Sequence, residues 1–357
     1  MNDVLRGLAA NPALPSELVD RLIGVADDET AEVLADRADL SRSQALTLAA
    51  RVADTVVSLV HEGKLTVSDV DPLTRPDAAL TLLYTGAENP EWARLFARDP
   101  LVEHREKLAA CPGLPPDVVE TLAADADVRV VAELALWTTE SEVAARLARH
   151  PHAEVRCAVA CNEATPPAVL ETLITGEGLT PARRCLVCDR ERTPFVHEPD
   201  CPRPDCRLPP GAACDGSHES TVHTMYYRAI QNPATPAEAV VGFADHPSWL
   251  LRCELAARTD LPPDVYERLA GDPVPGVRAE LAENPAIAEP LIRTLATDLG
   301  HDVRRRLAHH PRVPLDVLAD LAGVTRIGPT ALPRIAHASP AETRELAGSR
   351  DATLRML

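Results

Sequence analysis

Leu281 to Arg304 reads LAENPAIAEPLIRTLATDLGHDVR, and the segment from Leu255 to Arg278, LAARTDLPPDVYERLAGDPVPGVR, aligns with it without a gap. Further copies start at Leu307 (LAHHPRVPLDVLADLAG) and Leu108 (LAACPGLPPDVVETLAADADVRV). With the first residue of the LA element as a ruler, the register falls at Leu8, Leu34, Leu59, Leu82, Leu108, Leu134, Val159, Ala229, Leu255, Leu281, Leu307 and Ile335. Successive steps are 26, 25, 23, 26, 26, 25, 70, 26, 26, 26 and 28 residues, a period near 25 broken once. Each unit predicts two short helices. The first carries VRxxLA and stops at Asn-Pro or an equivalent (Asn11-Pro12, Asn232-Pro233, Asn284-Pro285), because Pro removes a donor and pushes its predecessor out of the α region. The second begins at a Pro-rich entry such as Leu261-Pro262-Pro263-Asp264, where Pro suits the first turn and Asp the positive helix end.

This punctuation accounts for the composition. Thirty-three of 357 residues are Pro, about 9%, against a usual ~5%. Apolar residues make up 45% and aromatics only 3%, so the chain is expected to fold through many small contacts. A unit of this size cannot bury its own apolar stripe, and neighbours must stack and share a continuous core. The expectation is an all-α helical-repeat solenoid of about twelve repeats. With 36 Lys or Arg against 54 Asp or Glu the net charge is −18, which argues against a nucleic-acid partner and for a protein partner, a basic one first. No stretch approaches the ~20 apolar residues of a membrane span. MNDVLRGLAANPALP has no basic n-region followed by an apolar one, and a cytoplasmic location is expected.

The pattern VRxxLAxNPxxPxxVLxxLAxDP resembles the leucine-rich repeat variant proteins. The resemblance covers nearly the whole chain apart from one insertion and is strongest over 100–178 and 225–325. It implies a right-handed superhelix of alternating α and 3₁₀ helices used for binding rather than catalysis. Three parts are expected: a repeat array over 1–178, an insertion over 179–223, and the same array resumed over 224–357.

The step of 70 marks the insertion. Residues 179–223 read LTPARRCLVCDRERTPFVHEPDCPRPDCRLPPGAACDGSHESTVH and hold five of the nine cysteines. With few large apolar residues they cannot order themselves by burial, and a bound metal would supply the missing free energy. Cys185-x2-Cys188 is a chelating knuckle, and Cys201-x4-Cys206 follows it, then Cys214 and His218. A second thiol pair at this distance has the form of a tetrahedral zinc site, with Cys185, Cys188, Cys201 and Cys206 as one candidate set. Cys214, His197, His218 and His223 compete for the same ion, and the eight donors suffice for two sites. Cys157 and Cys161, four residues apart on one helix face, are reserve ligands.

Cys214-Asp215-Gly216-Ser217-His218 spells CDGSH, and this stretch resembles the CDGSH iron-sulfur proteins, whose [2Fe-2S] cluster is held by three Cys and one His. The resemblance implies Cys214 and His218 as the last two ligands, with Cys201 and Cys206 upstream. The family spaces its first two ligands Cys-x-Cys, whereas four residues separate Cys201 from Cys206 here. Leucine-rich repeat variant proteins can also carry an iron-sulfur cluster, in a Cys-rich segment at the end of the array. Zinc is therefore the expected ion and an iron-sulfur cluster the alternative, the latter making the chain a redox or sensor protein.

Elsewhere the residues point to structure. Arg105, Arg156, Arg252, Arg278 and Arg304 recur at one repeat position and are expected to pair with acids of adjacent turns. His150, His246, His309 and His310 stand at helix stops and read as local caps. Cys111, Cys157, Cys161 and Cys253 read as small apolar fillers. His218-Glu219 and His223 do not form HExxH, because the histidines are five residues apart instead of four, and no nucleophile elbow, phosphate loop or dinucleotide fingerprint is present. No catalytic residues are expected.

Overall fold

The computed structural model describes residues 2–189, 214, 216–325, 333–342 and 344. It divides into two compact units, Met1–Leu147 and Ala148–Leu357.

In the first unit the ruler positions fall in Asn2–Ala9, Asp28–Ala35, Thr55–His61, Pro76–Tyr84, Val102–Ala109 and Val128–Trp137, and each of these helices packs on the next. Between them come Ser16–Val25, Arg42–Arg51, the 3₁₀ turn Val67–Asp69, Pro90–Phe96, Pro116–Ala123 and Ser141–Leu147. The second unit repeats the plan. Ala153–Cys161, Glu219–Gln231, Trp249–Ala257, Pro275–Glu283 and His301–Leu307 form one layer, and Pro167–Thr175, Ala237–Val240, Pro263–Ala270, Glu289–Ala296 and Leu315–Val324 the other. Pro333–Ala336, which holds Ile335, is the last described helix. Among the described residues there is no strand, only an isolated bridge between His152 and Arg184. The architecture is the expected all-α helical repeat.

One detail of that expectation gives way. Among the described residues 3₁₀ geometry is confined to Val67–Asp69 and Val241–Asp245, and the other second helices are α. Their sequences explain it: in Pro263–Ala270 the buried side chains are Val265, Tyr266 and Leu269, one stripe at the α spacing. A 3₁₀ turn rarely outlasts three or four residues, whereas these helices run to about eight.

The ruler residues make the core. Leu34, Leu59, Leu108, Val159, Ala229, Leu255, Leu281 and Leu307 have no exposed surface, each large one contributing ~1.5–3 kcal/mol by its burial. Leu8 is exposed and Ala9 is buried in its place.

The helix stops are joined from repeat to repeat. Asn284 ends its helix in extended conformation, accepts from Ala286 N at Oδ1, and donates from Nδ2 to the carbonyls of Ala256 and Arg258 one repeat back, at 2.7 and 2.6 Å. His310 does the same work, accepting from Arg312 N at Nδ1 and donating from Nε2 to Asn284 O at 2.9 Å. The local-cap reading of His150 and His246 also holds, each accepting a backbone N–H two residues on. A second row at these stops has no counterpart in the sequence reading. Arg37, Arg258 and Arg312 reach carbonyls of the preceding repeat, among them Ala9 O, Ile230 O and Ile287 O.

The predicted arginine ladder forms ion pairs. Arg105 meets Asp125 at 2.6 Å, Arg252 meets Asp272 at 2.5 Å and Arg278 meets Asp298 at 2.6 Å, each acid twenty residues on. Arg304 turns to Thr325 Oγ1 at 3.0 Å. Arg156, whose twentieth successor is Gly176, donates to the carbonyls of His150 and Thr180. The chemistry follows the partners: bonds to Asp125, Asp272 and Asp298 raise the pKa of Arg105, Arg252 and Arg278, while burial lowers that of Arg156.

Candidate metal centre

The interrupted repeat resumes its register. Asn232 donates from Nδ2 to Ala160 O and Asn162 O, 72 and 70 residues back, as Asn284 does to its neighbour 28 and 26 residues back. Helix Glu219–Gln231 packs directly on Ala153–Cys161. The chain that leaves the second layer at Thr175 therefore returns to the first layer at Glu219.

At this return four donors converge. Cys185 Sγ, Cys188 Sγ, Cys214 Sγ and one imidazole nitrogen of His218 all lie within 4.8 Å of one another and could hold a metal ion. Cys185 to Cys188 is 3.6 Å, Cys188 to His218 Nδ1 is 3.5 Å and Cys214 to His218 Nδ1 is 3.7 Å. The imidazole thus faces the thiols with Nδ1.

Local backbone produces this arrangement. Cys185 is buried at the start of the turn Leu186–Asp189, and the N–H of Cys188 points back to its sulfur at 3.4 Å. On the other side Gly216 takes φ +86° and its N–H reaches Cys214 Sγ at 3.4 Å. His218, only 3% exposed, is the one non-glycine residue with positive φ among the described residues, at +55°. A left-handed histidine costs ~1–3 kcal/mol and persists where its surroundings demand the conformation. Here it directs the imidazole to the thiols while its carbonyl accepts from Val222 N in the first turn of Glu219–Gln231.

The knuckle is tied to the repeat beneath it. Ala153 N donates to Arg184 O at 2.9 Å, and Arg183 N to Pro151 O at 2.7 Å. His152 accepts from Glu154 N at Nδ1, so Nε2 carries the proton and donates to Asp189, the residue after Cys188, at 3.0 Å. Asp189 also takes Arg184 Nε at 2.8 Å. Glu154 in turn accepts from Thr221 Oγ1 at 3.1 Å, so the same helix start supports both sides of the group. His152 was not singled out by its sequence, although its place beside the helix-stop His150 marked it as a turn residue.

The ionisation of the thiols is asymmetric. Loss of hydration, then the Cys185 and Cys214 thiols, push Cys188 up to about 12. Burial opposes ionisation of Cys214, but the N–H groups of Gly216 and His218 and the neighbouring thiols outweigh it and hold it below the usual thiol range. Three thiolates this close need a cation to ionise together.

The other candidates separate clearly. Cys201, Cys206 and His197 lie outside the described residues, as does Asp215 of the CDGSH stretch. His223 stands apart from the four, hydrogen-bonded through Nε2 to Ser248 Oγ at 2.7 Å. Cys157 and Cys161 are free thiols hydrogen-bonded to each other, and that hydrogen bond with burial raises the pKa of Cys157 and keeps it a thiol. Burial likewise pushes Cys111 up to about 12 and Cys253 up to about 11. The structure thus combines the first half of one sequence-derived set, Cys185 and Cys188, with the second half of the other, Cys214 and His218.

No protein-family model and no curated protein matches the chain. Its structure is similar to that of a leucine-rich repeat variant with a novel repetitive protein structural motif, at 17% identity and a TM-score of 0.42, over 75% of this chain and 85% of that chain.

Proposed function

We propose that this chain is a protein-binding scaffold, not an enzyme, whose interrupted repeat is closed by one structural zinc ion on Cys185, Cys188, Cys214 and His218 Nδ1. The observation that carries the reading is the size of the donor group. A tetrahedral zinc with bonds of ~2.3 Å to sulfur and ~2.0 Å to nitrogen sets its ligand atoms about 3.5–3.8 Å apart. Three of the six edges, at 3.5, 3.6 and 3.7 Å, match those values, and every pair lies within 4.8 Å. A binuclear iron-sulfur cluster places its ligand pairs on different irons and spreads them wider. Four protein donors also leave no open coordination position for a substrate, which favours a structural over a catalytic ion.

The ion would bind both sides of the insertion. Cys185 and Cys188 precede residues 190–213, and Cys214 and His218 follow them, so one ion closes the segment at its base and fixes the start of helix Glu219–Gln231. Elemental analysis of the purified protein tests this. About one zinc per chain in a colourless preparation, lost in Cys214→Ala, is the expected result. A reddish preparation with visible charge-transfer bands would overturn the zinc reading in favour of an iron-sulfur redox or sensor protein.

A further inference from the structure

In the first unit the helices Thr55–His61, Pro76–Tyr84, Val102–Ala109 and Val128–Trp137 leave a groove of about 650 Å³ along their outer face. Its floor is apolar, built from Val57, Leu80, Tyr84 and Ala110, and its rim is acidic, built from Asp77, Glu103, Glu106 and Glu133. Lys107 is the one cation among the lining residues, and Asp77 holds it at 2.6 Å. Arg129 approaches Glu106 only to 3.9 Å, being held by Asp127 at 3.2 Å. A second hollow of about 460 Å³ adjoins the first through Tyr84 and Ala110 and ends at Trp137. Both aromatics are half exposed, and Trp137 donates from Nε1 to Glu133 Oε1 at 2.8 Å, which sets a ring beside a carboxylate.

The same repeat position carries more cations in the second unit. One residue before the ruler stand Arg228, Glu254, Glu280 and Arg306. Arg306 binds Glu280 at 2.9 Å and Glu283 at 3.1 Å, and Glu254 accepts from Gln231 at 2.8 Å. In the first unit that position reads Ser58, Thr81, Lys107 and Glu133, where Lys107 is taken up by Asp77 and Glu133 meets the indole of Trp137. Exposed aromatic faces flanked by carboxylates suit ammonium and guanidinium groups, and an apolar floor between them suits an aliphatic side chain.

We propose that this groove is the docking site for an extended segment of a partner protein in which lysine or arginine alternates with aliphatic residues. The proposal rests on the scaffold reading and names the chemistry of its partner. Phosphate-bearing ligands are repelled by the same rim.

Fluorescence anisotropy with a fluorescein-labelled peptide alternating lysine and leucine tests it on the full-length chain. Saturable binding is expected, weakened at least about tenfold by Trp137→Ala and by the pair Glu106→Gln and Glu133→Gln. The pair Glu171→Gln and Glu238→Gln, which removes two exposed charges from the second unit, should leave it unchanged. Circular dichroism confirms that each variant folds. Equal weakening by both pairs, no effect of Trp137→Ala, or equal binding of a glutamate-leucine peptide would each overturn the groove. A combinatorial peptide library separates the two readings: peptides retained equally by wild type and groove variants sink the groove alone, and no retention by wild type sinks the scaffold with it.

Discussion

Two junctions in the second unit do the same mechanical work with different chemistry. Where Trp249–Ala257 meets Pro275–Glu283, Asn284 binds the carbonyls of the preceding stop and Arg252 closes on a buried Asp272. Where Ala153–Cys161 meets Glu219–Gln231, Asn232 makes the equivalent bonds, but Gly176 stands at the position of the acid and Arg156 turns to carbonyls. In place of the ion pair lie three thiols and an imidazole that could hold a metal. The asparagine contact belongs to the register and survives this interruption. The ion pair belongs to the local loop and is lost when the loop is replaced.

The largest expected effect is on the interrupted junction. If a zinc ion closes it, chelation should cost several kcal/mol, since metal-binding free energy becomes folding free energy in such sites. Proteolysis should then begin between residues 189 and 214 while the first unit persists, as mass spectrometry of the fragments would show. An unchanged cleavage pattern in excess chelator would mean that the junction holds without the ion.

Asp272→Asn should rank next, at ~3–5 kcal/mol in urea denaturation. It leaves the Arg252 guanidinium uncompensated, with side-chain exposures of only 10% and 4% at the two partners. A cost below 1 kcal/mol would show that carbonyls suffice, as they do for Arg156.

Asn232→Ala and Asn284→Ala should cost about the same, ~1–3 kcal/mol each, because each removes two hydrogen bonds to carbonyls of the preceding stop. A loss confined to Asn284→Ala would break the comparison, since the register would then not cross the insertion.

The smallest effect is one of pH. Burial lowers the pKa of His310 below its ordinary value of 6.5. The unfolded chain therefore binds a proton that the folded chain refuses. The stability this histidine supports is present above about pH 6.5 and declines as pH falls below it. His310→Asn, which installs the residue found at equivalent stops, should flatten the stability profile between pH 6.5 and 5. An unchanged slope would assign it to other groups.

Much of this was legible because repeat punctuation is periodic. The LA ruler located the first-layer helices and the single interruption, and the twenty-residue spacing from Arg105, Arg252 and Arg278 to an acid was available in the letters. The grouping of the ligands was not. Cys-x2-Cys shows that two sulfurs share a turn, but no spacing states which distant pair comes back to it. That choice follows from the return of helix Glu219–Gln231 to Ala153–Cys161 and from the left-handed His218, both tertiary facts. The Arg37, Arg258 and Arg312 row was hidden for another reason. Arg-x-Asp at the stops of Arg37 and Arg258 reads as a lapse in Asn-Pro punctuation until the guanidinium is seen to reach 26 or so residues back. The acidic groove was hidden in turn, since the overall charge of −18 gives no hint of where on the surface the carboxylates gather.

The convergence of donors from both sides of the insertion has a consequence for how such a chain can change. An ordinary connecting loop transmits its length to the elements it joins, whereas a segment clasped at its base does not. Closing a longer loop costs only ~0.6 kcal/mol for each doubling of its length. If an ion closes that base, a change in the number of residues between Asp189 and Cys214 need not move the flanking helices.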